Sequence, residues 1–342
     1  MTKHEAGHEA ATTVRDIAKA AGISIGTVSR ALKNQTGLTE QTRRLIVGIA
    51  HELNYDFGKL KPRKIRRLSF LLHRQHNTLA SSPFFSPMLH GVEEICRHYG
   101  IVPSFMAIGP ADPVLEQIQR HGTDAILCAG YFETELLSLL RATQKPIALI
   151  DTCVQGFDSV NPDNQMAGYL ATRHLLASGR RRIAWLSGSP AHYSVGERAR
   201  GFRKALFEAR LLADPELEIV LPHIIDLEQA VAEAVHHLLT LLPRPDAIVC
   251  YNDSCALIAM RCCIDAGIRI PNDIAIVGCD DIAAAALAHP PLTTIRIDKE
   301  KLGASGVRLL LQNHGDTPQQ QVLPVSLVVR DSAPTNKRTL HY

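Results

Sequence analysis

The chain has 342 residues, of which 46% are hydrophobic and 21% charged, with a formal net charge of +3 and a mean hydropathy near zero. This is enough apolar sequence for two or three cores without disulfide or metal staples. No apolar stretch is long enough to span a bilayer, and the first residues do not pair a charged segment with an apolar one, so a cytoplasmic protein without membrane contact is expected.

The charge is unevenly placed. Between Thr12 and Arg67 there are twelve Lys and Arg against four Asp and Glu, a net +8, whereas residues 1–11 carry −1 and residues 68–342 carry −4. A basic amino-terminal segment on a mildly acidic body is the footprint of phosphate neutralisation confined to one end. Residues 1–11 are polar and read as a disordered tail. His4 and His8 have the i, i+4 spacing of a metal pair, but they fall in that tail, so no metal site is expected.

Three amphipathic helices follow within residues 12–56. In the run TVRDIAKAAGISIGTVSRAL (13–32), Thr13 is the N-cap of a first helix whose Val14, Ile17, Ala18 and Ala21 form an apolar stripe, and Gly22 ends it. Ser24 caps a second helix after a three-residue turn. Its Val28 and Leu32 face inward and leave Ile25, Gly26, Thr27, Ser29 and Arg30 outward. Thr39 announces a third helix running through Leu45, Ile46, Ile49, Ala50 and Leu53, with Asn54 near its end. This is the outline of a helix-turn-helix reader of the DNA major groove. Arg30 suits bidentate bonding to a guanine edge, Ser24, Thr39 and Thr42 suit phosphate contacts, and Ile25 and Gly26 suit a thymine methyl or shape readout. Thr13 and Tyr55 complete the candidate DNA-binding set.

The motifs TVRDIAKAAGISIGTVSRAL, LTEQTRRLI and ELNY, together with PLTTI at 291–295, resemble the LacI/GalR family of transcription regulators over roughly residues 12–332. The resemblance implies a homodimer that sets two recognition helices in successive major grooves of a near-palindromic DNA operator. Two features depart from the family pattern. Lys33 stands where an asparagine is common. The linker FGKLKPRKIRR (57–67) is short, is interrupted by Gly58 and Pro62, and holds six basic residues within 59–67. It is therefore expected to grip phosphates as a tether, with Leu60 and Ile65 the only candidate wedges for the minor groove.

The remaining sequence alternates apolar runs with amphipathic stretches. RRLSFLL (66–72), DAILCAG (124–130), PIALID (146–151), RRIAWLS (181–187), DAIVCYN (246–252) and DIAIVGCDD (273–281) read as parallel strands of βαβ units. The expected fold class is therefore an all-α helix-turn-helix head on an α/β body of two doubly wound lobes, the periplasmic-binding-protein-like body that the family carries. One lobe is expected over 68–161 and 295–321, and the other over 162–294 and 322–332. The tail 333–342 has no leucine heptads that would tetramerise as a coiled coil.

Ligands in open α/β sheets bind beyond the carboxyl ends of the strands. That rule singles out Asp151, the Ser187–Ser189 turn, Asn252 with Asp253, and Asp280 with Asp281. By resemblance, Asp151, Asn252 and Asp280 match effector-contacting positions, Arg198 in VGERARGF matches the family's ligand-binding arginine, and Phe84 or Phe85 falls where an aromatic stacks on the effector. The same residues admit a structural reading, with strand-end Asp and Asn capping helices and Arg198 bridging the lobes. Where purine-binding relatives carry an aromatic lid, this chain has the aliphatic stretch His223–Leu227, which argues against a nucleobase; the resemblance implies a sugar or a sugar-like acid or phosphate as effector.

Catalysis and cofactors are not expected. There is no phosphate loop with lysine and no GxSxG, and adjacent strand residues point to opposite faces, so each Asp pair offers the cleft only one carboxylate. The eight cysteines form no CxxC pair and lie mostly in apolar runs, where a thiol serves as a small hydrophobe; the adjacent Cys262 and Cys263 diverge on one helix. Trp185, the sole tryptophan, is expected to pack in a core. A periplasmic-type sugar receptor shares the expected body, but has no use for a basic head.

Overall fold

Three short helices come first: α1 (Val14–Ala21), α2 (Ile25–Leu32) and α3 (Glu40–Glu52). The computed structural model describes residues 12–32, 38–55, 65–74, 83–109, 111–222, 226–312 and 317–335. The head's local chemistry sets its turns. The Asp16 carboxylate accepts from both the backbone N and Oγ1 of Thr13, at 2.8 and 2.7 Å, and Gly22 closes α1 in the left-handed conformation at φ 65°. Ile17, Ala18, Val28, Ala31, Leu32, Ile46, Ala50 and Tyr55 form one small core. Leu45, expected on the inner stripe of α3, is 52% exposed instead.

The body holds two six-stranded sheets. The first comprises β1 (Arg67–His73), β2 (Val102–Ile108), β3 (Ala125–Ala129), β4 (Ile147–Ile150), β5 (Asp158–Pro162) and β11 (Gln320–Leu323), in the order β11-β5-β4-β3-β1-β2. Its helices are α4 (Phe85–Tyr99), α5 (Val114–Arg120), α6 (Thr134–Ala142) and α12 (Lys299–Leu311). The second comprises β6 (Ile183–Ser187), β7 (Glu218–Val220), β8 (Ala247–Cys250), β9 (Ala275–Asp280), β10 (Thr293–Arg296) and β12 (Ser326–Val328), in the order β12-β10-β9-β8-β6-β7. With it go α7 (Asn164–Ala177), α8 (Tyr193–Glu208), α9 (Leu227–Thr240), α10 (Asp253–Asp265) and α11 (Ala283–Leu287). Pairing is parallel except between β10 and β12. The central strands β3, β4, β6, β8 and β9 are buried along their whole length, which is why each reads as an unbroken apolar run.

The chain passes between the lobes three times, after Pro162, between Arg296 and Lys299, and between Leu323 and Ser326. The last two passages differ from the expected boundaries. All of β10 stays in the second sheet, paired with β9 through Arg296, and β11 continues the first sheet to Leu323 opposite Pro162. The linker ends sooner than expected as well. Ile65 is buried in the first lobe's core, and the backbone N–H groups of Arg66 and Arg67 both donate to Asp124 Oδ2 at 2.9 Å. Ile65 is thus an anchor of the lobe and is withdrawn as a candidate wedge; Leu60, Gly58, Pro62 and Lys33 lie outside the described residues. So do His4, His8 and residues 223–225.

Each lobe carries one helix pair pressed together at glycines. In the first, a Cβ on Gly91 of α4 would overlap the Glu300 carbonyl and one on Gly303 of α12 would overlap that of Met88. In the second, Gly168 of α7 meets the carbonyl of Arg198 and Gly201 of α8 meets that of Gln165. Only hydrogen fits between these backbones. All eight cysteines are free thiols, and burial pushes Cys96 up to about 11 and Cys263 to about 12. Trp185 is 2% exposed and stacks on Phe202 at 5.5 Å. Among the described residues no helix is long and apolar enough to cross a membrane.

Because the α7–α8 contact has no room for a methyl group, Gly168→Ala is expected to destabilise the protein by roughly 1–3 kcal/mol, as overpacking does. Gly196, on the same helix α8, meets nothing closer than the Pro190 carbonyl at 3.6 Å, so Gly196→Ala is expected to be neutral or stabilising by up to about 1 kcal/mol. Urea unfolding of the two variants checks the contrast.

Candidate DNA interface and effector cleft

On the head, α2 presents its expected face. Ile25 is 50% exposed although it is a large apolar side chain, and Arg30 is exposed, held along the helix by its Nε donating to the Gly26 carbonyl at 3.4 Å. Ser24 Oγ accepts from the Thr27 N–H at 3.2 Å and shares a 2.8 Å bond with Thr27 Oγ1. Thr39 and Thr42 repeat that arrangement at the start of α3, again at 3.2 and 2.8 Å. The candidate hydroxyls are therefore paired at two helix N-termini, where backbone N–H groups and the helix dipole favour a phosphate. Thr13 is bound to Asp16 in the α1 cap, and Ser29 is half-buried. Tyr55 departs from the expectation: its ring closes the head's core, so packing accounts for it.

In the body, the sequence candidates separate into two groups. Asp151, Arg198 and Asp280 converge. Asn252 and the two phenylalanines do not join them. Asn252 Oδ1 accepts from the Cys255 N–H at 2.9 Å and caps α10, the structural role that its strand-end position equally allowed. Phe84 and Phe85 pack edge to face, with ring centroids 5.3 Å apart, inside the first lobe's core. Each ring meets the edge or face of the other, and both are buried where α4 begins.

Arg198 organises the converging group. The guanidinium, on α8 and 5% exposed, donates Nε to Asn164 Oδ1 at 3.0 Å, Nη1 to the Tyr251 carbonyl at 2.6 Å and Nη2 to Asp280 Oδ1 at 3.5 Å. Burial opposes its charge, but the surrounding Cys279, Asp280, Asp151 and Asp253 raise its pKa further above the ordinary arginine value. Asp151 lies at the end of β4 in the first lobe, and Ser194 Oγ of α8 in the second lobe donates to its Oδ2 at 3.3 Å. Tyr131 of the first lobe stacks on His192 of the second, with centroids 5.0 Å apart. Burial pushes the carboxyls up, Asp151 to about 6 and Asp280 to about 7, with Arg198 as the largest opposing influence on each.

At this junction of the lobes Asp151 Oδ1, Asn161 Oδ1 and Asn164 Nδ2 are buried without a close hydrogen bond, although the Asn164 amide stands near enough to Asp151 to favour its ionised carboxyl. Leaving such groups unpaired costs about 1–3 kcal/mol each, and together they offer acceptors beside a donor. A molecule bearing several hydroxyl groups satisfies that set.

The hinge is tied to the same residues. Asp151, Asp280 and Asp281 have positive φ values of 59, 122 and 51°, a conformation that non-glycine residues keep only when their surroundings fix it. Lys299, the first residue of α12, supplies the fixing at β9. Its Nζ donates to the carbonyls of Asp280, Asp281 and Ile297. The Asp281 carboxylate accepts from Arg296 at 2.7 Å and Arg330 at 2.6 Å. Sequence reasoning missed Ser194, Asn164, Asn161 and Lys299. Ser194 lies in the first turn of α8, the helix that follows the candidate strand ending at Ser187, whereas Asn164 opens α7 after β5, a strand the apolar pattern did not reveal. Among the described residues no cluster of His, Cys, Asp and Glu could hold a metal ion.

The geometry is that of known regulators. Residues 13–56 match the family of bacterial regulatory proteins of the lacI type, and residues 172–333 match a periplasmic binding protein-like domain. The HTH-type transcriptional repressor PurR of Aliivibrio salmonicida is 31% identical over 320 residues, covering 89% of this chain and 92% of its own. The chain belongs to the lacI family. It is a DNA-binding transcriptional repressor of that family, and the family is one of regulators rather than enzymes, in accord with the reading of the sequence. The PurR repressor of Haemophilus influenzae strain PittEE is 30% identical over 338 residues, 94% of this chain and 98% of its own. Among solved structures, a transcriptional regulator CelR in complex with cellobiose superimposes with a TM-score of 0.72 at 27% identity, over 94% of this chain and 99% of its own. A LacI family regulator from Enterococcus faecium with bound ribose gives 0.68 at 26% identity, over 79% and 100%.

The two raised carboxyls give this repressor a pH signature. A carboxyl whose folded pKa lies above its unfolded value stabilises the fold at low pH and loses that contribution as pH rises through the folded value. Between about pH 5 and about pH 8 the melting temperature of wild-type protein is therefore expected to fall relative to that of Asp280→Asn, which lacks the titration at about 7. Parallel melting curves across the window would contradict the burial of Asp280.

Proposed function

We propose that this lacI-family repressor acts as a homodimer on a near-palindromic operator and that a small sugar-like effector, bound between the lobes, sets its affinity for DNA. In this reading the head spans residues 12–56. Ile25 and Gly26 meet a thymine methyl or the groove's shape, Arg30 reads a guanine edge, Thr27 and Ser29 lie on the same approach, and Ser24, Thr13, Thr39 and Thr42 hold phosphates. Residues 57–64 join the head to the first lobe as a basic tether. The protein works in the cytoplasm, where its DNA is.

The observation that carries the effector class is the buried polar cluster of Asp151, Asn161 and Asn164, each with a side-chain atom that makes no close hydrogen bond, beside an arginine already placed by three bonds. Vicinal hydroxyls supply a donor and an acceptor at adjacent positions and match such a set. The cellobiose and ribose bound by the two similar regulators support a sugar, and the lac repressor dimer solved on its operator with the anti-inducer ONPF, which shares the fold with a TM-score of 0.69, supports the dimer. Asp151 belongs to the first lobe, and Ser194, Arg198 and Asp280 belong to the second. A ligand that touches both lobes binds their two arrangements unequally, and only that inequality can move the DNA equilibrium.

A thermal-shift screen of sugars, sugar acids and sugar phosphates identifies the effector, because a ligand of the native state raises the melting temperature. Nucleobases belong in the same screen; a shift given by them and by no sugar would replace the effector class. With the effector in hand, Arg198→Ala is expected to abolish the change in operator binding while leaving effector-free affinity within about twofold, less than the roughly 1.4 kcal/mol that makes a factor of ten. Arg30→Ala is expected to cost about 1–3 kcal/mol, expressed at one base position of the operator. Gel-shift titrations against a set of single-base operator variants measure both.

A further inference from the structure

The contacts that join the lobes fall into two zones, which the sheet order separates. The three passages follow β5, β10 and β11, strands that stand at or next to one edge of their sheets, and Lys299 reaches the carbonyls of Asp280 and Asp281 beside them. Tyr131 and His192 stand farther out. Tyr131 follows β3, two strands from β5, and His192 follows β6, three strands from β10, so at the usual spacing of neighbouring strands the ring pair lies on the order of 10 Å from the passages. The cleft carboxylates fall between, Asp151 just past β4 and Asp280 at the end of β9. The two outlying rings, one from each lobe, stack with centroids 5.0 Å apart and an interplanar angle of 26°.

Both rings stand on anchored backbone. After Tyr131, Phe132 is buried in the first lobe and Glu133 meets the buried His73 Nε2 at 3.0 Å. His192 opens α8, where its carbonyl accepts from the Gly196 N–H at 3.0 Å and its own N–H donates to the Ser189 carbonyl at 3.1 Å. Two residues on, Ser194 makes the second outlying contact, its bond to Asp151. A stack between two such mounts is lost when the lobes move apart, and a rotation about the passages displaces it further than it displaces the contacts of Lys299.

We propose that the Tyr131–His192 stack is a latch, which holds the lobes together on the side away from the passages and must part before the cleft between them opens. Stacked aromatic pairs attract beyond the area they bury, and this pair bridges the lobes where opening separates them most. Asp151, Arg198 and Asp280 lie behind it, on the side of the passages. The gating of an effector rests on its binding between the lobes; the latch itself does not, and a measurement without ligand tests it alone.

Cys153 is a native probe of the junction. It stands two residues past Asp151, is half-buried, and lies near Tyr193 of α8, whose pKa is raised by burial first and by Cys153 next. Cys262 is half-buried as well but sits on α10, away from the junction, and serves as the control. Iodoacetamide labelling of the full-length protein, followed peptide by peptide by mass spectrometry, reads both thiols. Tyr131→Ala and His192→Ala are each expected to raise the labelling rate at Cys153 at least fivefold, and the double variant to exceed either by less than twofold, because the two changes remove one contact. Tyr131→Phe, which keeps the ring, is expected to stay within twofold, as is Cys262 in every variant; circular dichroism confirms that each is folded. Unchanged labelling of Cys153 in either folded alanine variant overturns the proposal. So does a parallel rise at Cys262, which marks general loosening, and so does a Tyr131→Phe that labels as fast as Tyr131→Ala, which assigns the effect to the hydroxyl.

Discussion

The second lobe is built around a guanidinium that is nearly out of water. A buried, isolated charge is costly, and one that persists must be paired and hydrogen-bonded on every side. Arg198 meets that demand by drawing in the end of β8 through the Tyr251 carbonyl, the start of α7 through Asn164 and the end of β9 through Asp280. Removing the arginine would leave Asp280 buried without its largest favourable influence. The close approach of α7 and α8 at Gly168 follows from the same need, because the carbonyl of Arg198 itself rests against that glycine.

The lobes are joined where this cluster is. Asp280 ends β9 in a left-handed conformation, and the lysine that holds its carbonyl belongs to α12, a helix of the other lobe. Asp281 is clasped by two arginines of the second lobe, Arg296 just before the passage into α12 and Arg330 beyond the end of β12. A change in how the lobes meet therefore changes how Asp280 is presented to Arg198. Ser194 on Asp151 and the Tyr131–His192 stack add contacts across the junction. An element with two arrangements, biased by contacts from both sides, is what coupling between a ligand and DNA requires.

Much of this was legible in the chain, for identifiable reasons. Strands buried on both faces are apolar throughout, so β3, β4, β6, β8 and β9 were plain, and the strand-end rule placed Asp151 and Asp280 at the junction. The head was legible because capping residues, the left-handed Gly22 and apolar spacing all agree. Less was legible at the edges. β2, β5, β7, β11 and β12 are short or partly exposed and mix polar with apolar residues, so their pattern carries little signal. Asn252 illustrates a real ambiguity, since an amide at a strand end suits a ligand and a helix cap alike, and in this chain it caps. Phe84 and Phe85, given an effector role by resemblance, Tyr55, placed in the DNA-binding set, and Ile65, offered as a wedge, are large apolar groups that the structure buries in a core, and burial of that kind is not visible in a short motif. Lys299 was missed because its partners are backbone carbonyls, which no side-chain motif reveals.

If the cleft governs DNA binding, the coupling must act in both directions. The most direct measurement is therefore the effector's affinity for the protein by calorimetry, free and saturated with operator. The account predicts that the two affinities differ at least about fivefold, the lower end of usual allosteric coupling. Equal affinities would show that the cleft and the head do not communicate, and would contradict it.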